Sequence, residues 1–427
     1  MCDIIPLRST QQADAVVVGG GWTGLLTAHL LARHGLQVCL LTRTAGPLPP
    51  PLATLHQPER FRRIAAFHGE SALRAHLLQL HQALAALPVP LRETEVYAFA
   101  HASADVPRLL AQQAFLARLG APCVIAPDAG GCPFPVALST CSPGLIGDAA
   151  PLAHALRQGV LQAGGRIFSA RVMNANARQV FAEHGRVDAP HVLLCTGKPL
   201  GLAGRRLLSL MATRTIARAR LDAPVPLHTV QSAVDGSPLL LPVSGGALVL
   251  WDAGRTGTRA ETQGTAQFRR FLQRWMPEWP AAALQYRLHT RPVDGLPIVG
   301  HFRTEGGSIL CAAGAEDFLS SVMAAQTLTR LALQRPIPAD LALRPDRIIP
   351  RGTLRRMLTA QRKTRAVAAL RASAPRCRHC RCRLRWHAAS RWWGCPFCGS
   401  AFGALGQRIG GPSLFDADLS ISQRPSW

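Results

Sequence analysis

The stretch Ala15-Val16-Val17-Val18-Gly19-Gly20-Gly21-Trp22-Thr23-Gly24-Leu25 decides the fold of this chain. Four apolar residues make a short buried strand, and a glycine-rich run then turns the backbone. Leu25 to His34 carries apolar residues at helical spacing, Gly35 ends that helix, and Leu36–Leu41 is apolar again. Strand, tight turn, helix and strand in this order call for a parallel sheet covered by helices. The turn has the spacing Gly19-x-Gly21-x-x-Gly24. In such a unit the first glycine permits the turn, the second lets backbone approach a pyrophosphate, and the third lets helix and strand pack closely. The helix N-terminus adds free N–H groups and a partial positive charge. Gly19, Gly20, Gly21, Trp22, Thr23 and Gly24 are therefore candidate dinucleotide-binding residues. At the end of the second strand an Asp or Glu ordinarily holds the ribose hydroxyls. Here the sequence is Thr42-Arg43. Thr42 offers an uncharged hydrogen-bonding group, and Arg43 a cation able to meet a phosphate.

Working outward, 427 residues imply two or three domains, and a hydrophobic content of 48% excludes global disorder. The net charge of +24 comes almost wholly from arginine, since the only lysines are Lys198 and Lys363. Over most of the chain these charges are scattered, which reads as a compositional habit rather than one anion-binding face. No apolar stretch reaches the length of a membrane span, and Asp3 and Arg8 interrupt any secretory pattern. The expectation is a cytoplasmic protein, in which clustered cysteines bind metal more often than they pair. Seven cysteines are dispersed between Cys2 and Cys311, and five fall between Cys377 and Cys398.

Coarse patterning predicts a helix-rich segment over 61–87, a strand over 94–100 and a helix over 151–163. A buried strand at 192–194 runs into Cys195-Thr196-Gly197. Short strands and turns over 212–292 read as an antiparallel sheet. A strand at 308–312 and a helix at 318–333 follow. A proline-spaced linker at 336–350 and a basic helix at 353–372 precede the cysteine segment.

Three later passages extend the first motif. Cys195-Thr196-Gly197 follows a strand. Arg291-Pro292-Val293-Asp294-Gly295-Leu296-Pro297-Ile298-Val299-Gly300 is a late loop signature, and Ser308 to Leu333 gives strand, Gly314 and long helix. In order and spacing, residues 14 to 335 resemble the D-amino-acid-oxidase and glycine-oxidase-like family of FAD oxidoreductases. The resemblance implies an α/β fold: an FAD-binding Rossmann-like domain built from 14–50, 145–202 and 293–335, with an inserted antiparallel-sheet substrate domain from 51–144 and 203–292. It implies FAD as cofactor and adds Thr196, Gly197, Asp294, Gly295, Gly300, Gly314 and Phe318 to the residues expected around it. It also implies oxidation of the C–N bond of a small amine or amino acid. Hydride leaves the α-carbon for flavin N5, and water hydrolyses the resulting imine. Such chemistry needs no protein acid–base pair, because the cofactor carries the redox step.

Arg291 is the candidate for holding a substrate carboxylate through bidentate contact, set against a structural or surface arginine. Before the closing helix the family has several glycines, where this chain has Ala315-Glu316-Asp317-Phe318. Acids beside a flavin disfavour its anionic reduced form. A simple N-cap is the plainer expectation for Asp317.

Residues 336–375 form a basic linker and helix, and 376–427 a Cys-rich segment. Cys377-x-x-Cys380 and Cys395-x-x-Cys398 approach zinc-ribbon spacing. Cys377-x-His379 with Cys395-x-x-Cys398, Gly399-Ser400 and Gly411-Pro412 instead resembles a Rieske cluster-binding region, with Cys398 where the second histidine belongs. The expected ligands are Cys377, His379, Cys395 and Cys398 for a modified [2Fe–2S] cluster, with Cys380 replacing His379 for Zn2+. A cluster would give reduced flavin an electron exit towards an acceptor protein or partner subunit. From Arg344 to Arg391 there are fifteen Arg and Lys residues and one acid, Asp346. With Trp386, Trp392 and Trp393 this suggests nucleic acid only weakly, since no known nucleic-acid module accompanies it. A different class of function, a catalytically degenerate flavoprotein-fold subunit with a zinc ribbon acting in binding or assembly, is the alternative. Thr42 and Glu316-Asp317 are its support.

Overall fold

The structure is a computed structural model. It describes residues 4–337 apart from several segments, of which the longest are 127–135 and 198–210, then 343–345 and parts of 375–419. The chain opens with β1 (Ile5–Pro6), β2 (Thr10–Gln12), β3 (Ala15–Val18), α1 (Trp22–Arg33), β4 (Val38–Thr42) and β5 (Leu52–Thr54). Next come α2 (Glu70–Ala85), β6 (Arg92–Ala100), α3 (Val106–Arg118), β7 (Val124–Ala126) and β8 (Leu138–Ile146). Then follow α4 (Ala149–Gln162), β9 (Arg166–Ser169), β10 (Val172–Ala175), β11 (Gln179–Ala182), β12 (Arg186–Asp188) and β13 (His191–Gly197). The next stretch holds β14 (Met211–Leu221), β15 (Val230–Ala233), β16 (Leu239–Val243), β17 (Gly246–Arg255), α5 (Arg259–Trp275) and β18 (Gln285–Pro292). The main body closes with β19 (Ile298–Thr304), β20 (Gly307–Ala313) and α6 (Phe318–Ala332). The tail adds β21 (Arg385–His387), β22 (Trp392–Gly394), β23 (Ala401–Gly403) and β24 (Arg408–Gly410).

The first sheet runs β1-β9-β4-β3-β13-β20-β19, and every neighbour pairs in parallel except β19 with β20. Its central strands are apolar on both faces, as a sheet covered on both sides requires. On one side α1, α4 and α6 pack over Val17, Leu40, Leu193 and Leu310. On the other side Val16, Cys39 and Leu194 meet Val172, Val180 and Val187 from a small sheet ordered β10-β11-β12-β2. Helix α1 is buried almost all round, as a helix apolar on every face should be.

The large sheet runs β18-β14-β17-β16-β15-β6-β8-β5, with β7 also on β8. The expectation of a purely antiparallel sheet needs one correction, since β15 and β6 pair in parallel. The expectation of short strands over 212–292 holds for β15 and β16, with 4 and 5 residues, but not for β14 and β17, with 11 and 10. The same span contains a helix the patterning missed. In α5, Phe268, Phe271 and Leu272 recur at helical spacing and pack on Ala217, Leu240 and Val249. The linker read at 336–350 is partly held to the body, for Val299 N–H donates to Leu343 O at 2.7 Å. The predicted helix at 353–372 lies outside the described residues.

Gly264 fixes how closely α5 approaches the sheet. A Cβ there would collide with the backbone carbonyl of Ala253 in β17. Alanine gains about 1 kcal/mol of helix propensity, but overpacking against backbone costs about 1–3 kcal/mol, so the clash wins. Gly264→Ala should lower the thermal unfolding midpoint while leaving the far-UV circular dichroism of the folded protein unchanged.

Candidate functional site: a glycine-lined dinucleotide groove

The turn after β3 is built from steric exclusions. Gly19 has φ +126°, a region that disfavours side chains, and a Cβ there would also strike the Cys195 carbonyl at the end of β13. A Cβ on Gly24 would collide with the Gly19 carbonyl. One on Gly20 would meet the Thr42 side chain, which is buried beneath the turn at the end of β4. Gly19 N–H donates to Leu41 O at 2.8 Å, tying the turn to β4. Three of the four glycines are therefore needed for packing within the protein.

Gly21 is different. It is exposed, its φ of −76° suits any residue, and no atom lies within 4 Å of where its Cβ would be. It is the N-cap of α1, and no side chain caps that end. The leading amides of α1 thus face open space at the positive end of the helix, where a diphosphate is favoured.

The opposite wall of the groove comes from the ends of β13 and β20. Gly314 N–H donates to Gly197 O at 3.0 Å, and both glycines have positive φ, +71° at Gly197 and +75° at Gly314. Thr196 is exposed beside them. The side chains of Trp22, Thr23 and Phe318 are buried, where they join α1 to α6. Trp22 and Phe318 meet edge to face at 5.2 Å, Trp22 Nε1–H donates to Pro49 O at 3.0 Å, and Thr23 Oγ1 lies 3.1 Å from Ser321 Oγ. Of Trp22 and Thr23, only backbone is offered to the groove. Asp317 is the N-cap of α6, accepting from Ser320 N–H at 2.9 Å and Ser320 Oγ–H at 2.8 Å. Gly300 closes no turn. It lies within β19 opposite Cys311, and a Cβ there would sit 2.5 Å from Pro345 Cδ. Backbone pairing sets Arg291 opposite Ala212 at one end of the large sheet. The Arg291 side chain, Asp294, Gly295 and Glu316 lie outside the described residues.

Two thiols sit beneath the groove. Burial pushes the Cys195 thiol up to about 12, with a smaller opposing effect from Thr27. Burial, with Cys195 adding to it, also raises Cys311. Neither is a nucleophile at neutral pH.

Sequence reasoning missed a cluster at the end of β4. Ala170 N–H donates to Thr42 O at 2.8 Å, which sets Arg171 beside Arg43. Arg171 Nη2 pairs with Asp416 at 2.9 Å, and Asp416 also accepts from Arg408 N–H at 2.7 Å. Arg408 Nη1 donates to Val172 O at 3.2 Å. No local pattern signals this meeting, because 245 residues separate Arg171 from Asp416.

In the tail, Cys377 and Cys395 are both fully buried in one small core with Leu384, Trp393, Phe402 and Ala417. Their backbones are alike. Cys377 N–H donates to Cys382 O and Cys395 N–H to Ser400 O, each at 2.7 Å and each to the fifth residue on. Arg381 takes φ +60° at the first of these turns. Both ring nitrogens of His379 are buried with no hydrogen-bond partner among the described residues. Cys380 and Cys398 lie outside the described residues, and among those described no group of three or more His, Cys, Asp or Glu side chains is placed to hold a metal. Trp392 and Trp393 are buried, so neither is an open platform for stacking bases.

Residues 14–331 match the family model described as DAO, FAD dependent oxidoreductase. The chain belongs to the DAO family of FAD-dependent oxidoreductases. No curated protein sequence matches it. Among solved structures it is similar to glycine oxidase from Geobacillus kaustophilus, at 20% identity and a TM-score of 0.62 over 80% of this chain and 100% of that one. Iminodiacetate oxidase from Chelativorans sp. BNC1 gives 16% and 0.57 over 78% of this chain and 98% of that one. L-Proline dehydrogenase from P. horikoshii gives 12% and 0.55 over 80% and 98%. At these identities the structures establish a shared fold. The family match stops short of the Cys-rich tail. Among the described residues no helix is long and apolar enough to cross a membrane.

The geometry at Gly21 separates folding from cofactor binding. Gly21→Val has room and an acceptable φ, so the apoprotein should melt at the wild-type temperature. Its side chain would fill the space before α1, and FAD affinity measured by fluorescence titration should fall at least about tenfold, the equivalent of one lost charge-assisted hydrogen bond.

Proposed function

We propose that the chain binds FAD over the Gly19–Gly24 turn and oxidises the C–N bond of a small amine or amino acid. The observation that carries the cofactor assignment is the contrast among the glycines. Gly19, Gly20 and Gly24 are filled by the protein, while Gly21 and the uncapped amides behind it face empty space. An anionic diphosphate fits that space in size and charge. Thr42 and Arg43 would lie at the ribose. Thr196, Gly197 and Gly314 would lie along the flavin, with backbone in place of bulky side chains. When bound, flavin supplies the two-electron acceptor.

The contribution of the protein is then binding, orientation and exclusion of water. Arg291 is the proposed partner of a substrate carboxylate, with Asp294 and Gly295 shaping the loop beside it. Asp317 directs its carboxylate to the first turn of α6, so its charge is used in capping. That arrangement removes one ground for reading the site as degenerate. The substrate class is supported by relatives whose names describe oxidation of glycine, iminodiacetate and proline.

For the tail we propose a metal centre held by Cys377, Cys395 and Cys398, with a fourth ligand that decides its kind. The matched backbone closures at Cys377 and Cys395, together with a second cysteine three residues after each in the sequence, suit four thiolates and zinc. The buried, unpartnered nitrogens of His379 suit a Cys3His set and a [2Fe–2S] cluster.

Anaerobically purified protein should show flavin absorption that bleaches on adding glycine, proline, iminodiacetate or a related secondary amine. Protein that takes up FAD yet is bleached by no amine or amino acid in such a panel would refute the C–N assignment. Metal analysis should give about one zinc or two irons per chain. His379→Ala should abolish metal retention if the centre is the cluster and leave it intact if it is zinc, with Cys380→Ala behaving in the opposite way.

A further inference from the structure

The body and the tail meet at the end of β4, where the dinucleotide groove would receive a ribose. Thr42 stands where related nucleotide sites carry an acid for the ribose hydroxyls. Its side chain is buried against Gly20, so it is spent on the turn. Three guanidinium groups gather around this point from distant parts of the chain. Arg43 follows Thr42 directly, Arg171 follows the Ala170 amide that bonds Thr42 O, and Arg408 comes from β24 in the tail. Asp416 ties the Arg171 guanidinium to the Arg408 backbone, accepting from Arg171 Nη2 at 2.9 Å and from the Arg408 main-chain N–H at 2.7 Å. Among the described residues Glu183 also lies near, 3.8 Å from Arg171 Nη1.

We infer that Arg408, set by Asp416 beside Arg43 and Arg171, makes the C-terminal tail one wall of the adenosine end of the FAD site. The inference rests on the FAD assignment above. Its physical basis is the mismatch between what the strand end lacks and what the tail brings. A guanidinium donates hydrogen bonds to ribose and phosphate oxygens and stacks on a flat aromatic ring. Burial and Arg171 hold the Arg43 guanidinium below its ordinary range. Burial, Arg171 and Arg43 do the same to Arg408, against a smaller opposing pull from Asp416. Arg43 is exposed and Arg171 and Arg408 are partly exposed, so cations pressed together in this way are open to a polar, electron-rich ligand between them, and an adenosine diphosphate group is such a ligand. The tail also meets the body at β10 and Arg171, by the β4 end of the groove. This position gives the tail a role in retaining the cofactor that is separate from any metal chemistry.

The test uses the full-length chain with three probes. FAD and ADP carry the adenosine half, and FMN carries the flavin without it. Arg408→Gln should weaken FAD binding, and ADP competition against FAD, by about tenfold, the scale of one charge-assisted hydrogen bond. FMN affinity should stay at the wild-type value. Asp416→Asn should shift FAD and ADP in the same direction by a smaller factor, and serves in place of Arg408→Gln if that variant does not fold. Glu70→Gln, which breaks the remote exposed pair with Arg118, is the control and should change nothing. Unchanged FAD and ADP binding overturns the inference. So does equal weakening of FAD and FMN, which would mean general loosening of the fold. Wild-type protein that binds neither flavin overturns the FAD assignment itself and this inference with it.

Discussion

The structure depends on a contact between backbones: the turn after β3 lies against the carbonyl that ends β13, with α1 resting on the turn. Any atom beyond Cα at Gly19 or Gly24 would enter space already taken by Cys195 O or Gly19 O. That closeness lets β3 pair with both β4 and β13 and lets α1 start directly above the sheet. The residues around it then secure the arrangement. Trp22 and Thr23 hold α6 against α1, and Gly314 bonds Gly197, so the last unit of the domain is fastened to the first. A domain assembled from separated parts of the chain needs such cross-links, because loop closure alone would leave those parts free to separate.

Much of this was legible because local chemistry and global fold agree. The glycine spacing, the apolar runs Ala15–Val18 and Val38–Leu41, and the N-cap at Asp317 each follow from rules acting within a few residues. Helix α5 was also legible in principle. Phe268, Phe271, Leu272 and Trp275 lie at helical spacing, but neighbouring strands and an internal Gly264 masked the period. Strands β1 and β2 were not legible, since two or three residues are too few to carry a readable alternation. Their place comes wholly from pairing with β9 and β12.

The site divides in the same way. Which glycines face the groove is a steric question, and only the folded backbone answers it. Sequence alone grouped Trp22, Thr23 and Phe318 with the cofactor. Their side chains are core, because a long helix packed on another needs large side chains at that crossing. Gly300 belongs to Pro345, and the Arg43, Arg171 and Arg408 cluster belongs to no motif. Each is a contact across a long stretch of chain, where spacing carries no information. In the tail the equivalence of the two cysteine boxes was visible in outline, and the matched amide closures at Cys377 and Cys395 give it a physical form.

The sealed thiols of the first sheet have a consequence for durability. Cys39, Cys195 and Cys311 are all buried, and burial raises each of them. Thiols kept in that state barely ionise, and oxidants attack the ionised form. Oxidative wear on this protein is thereby steered away from the sheet that would carry the flavin.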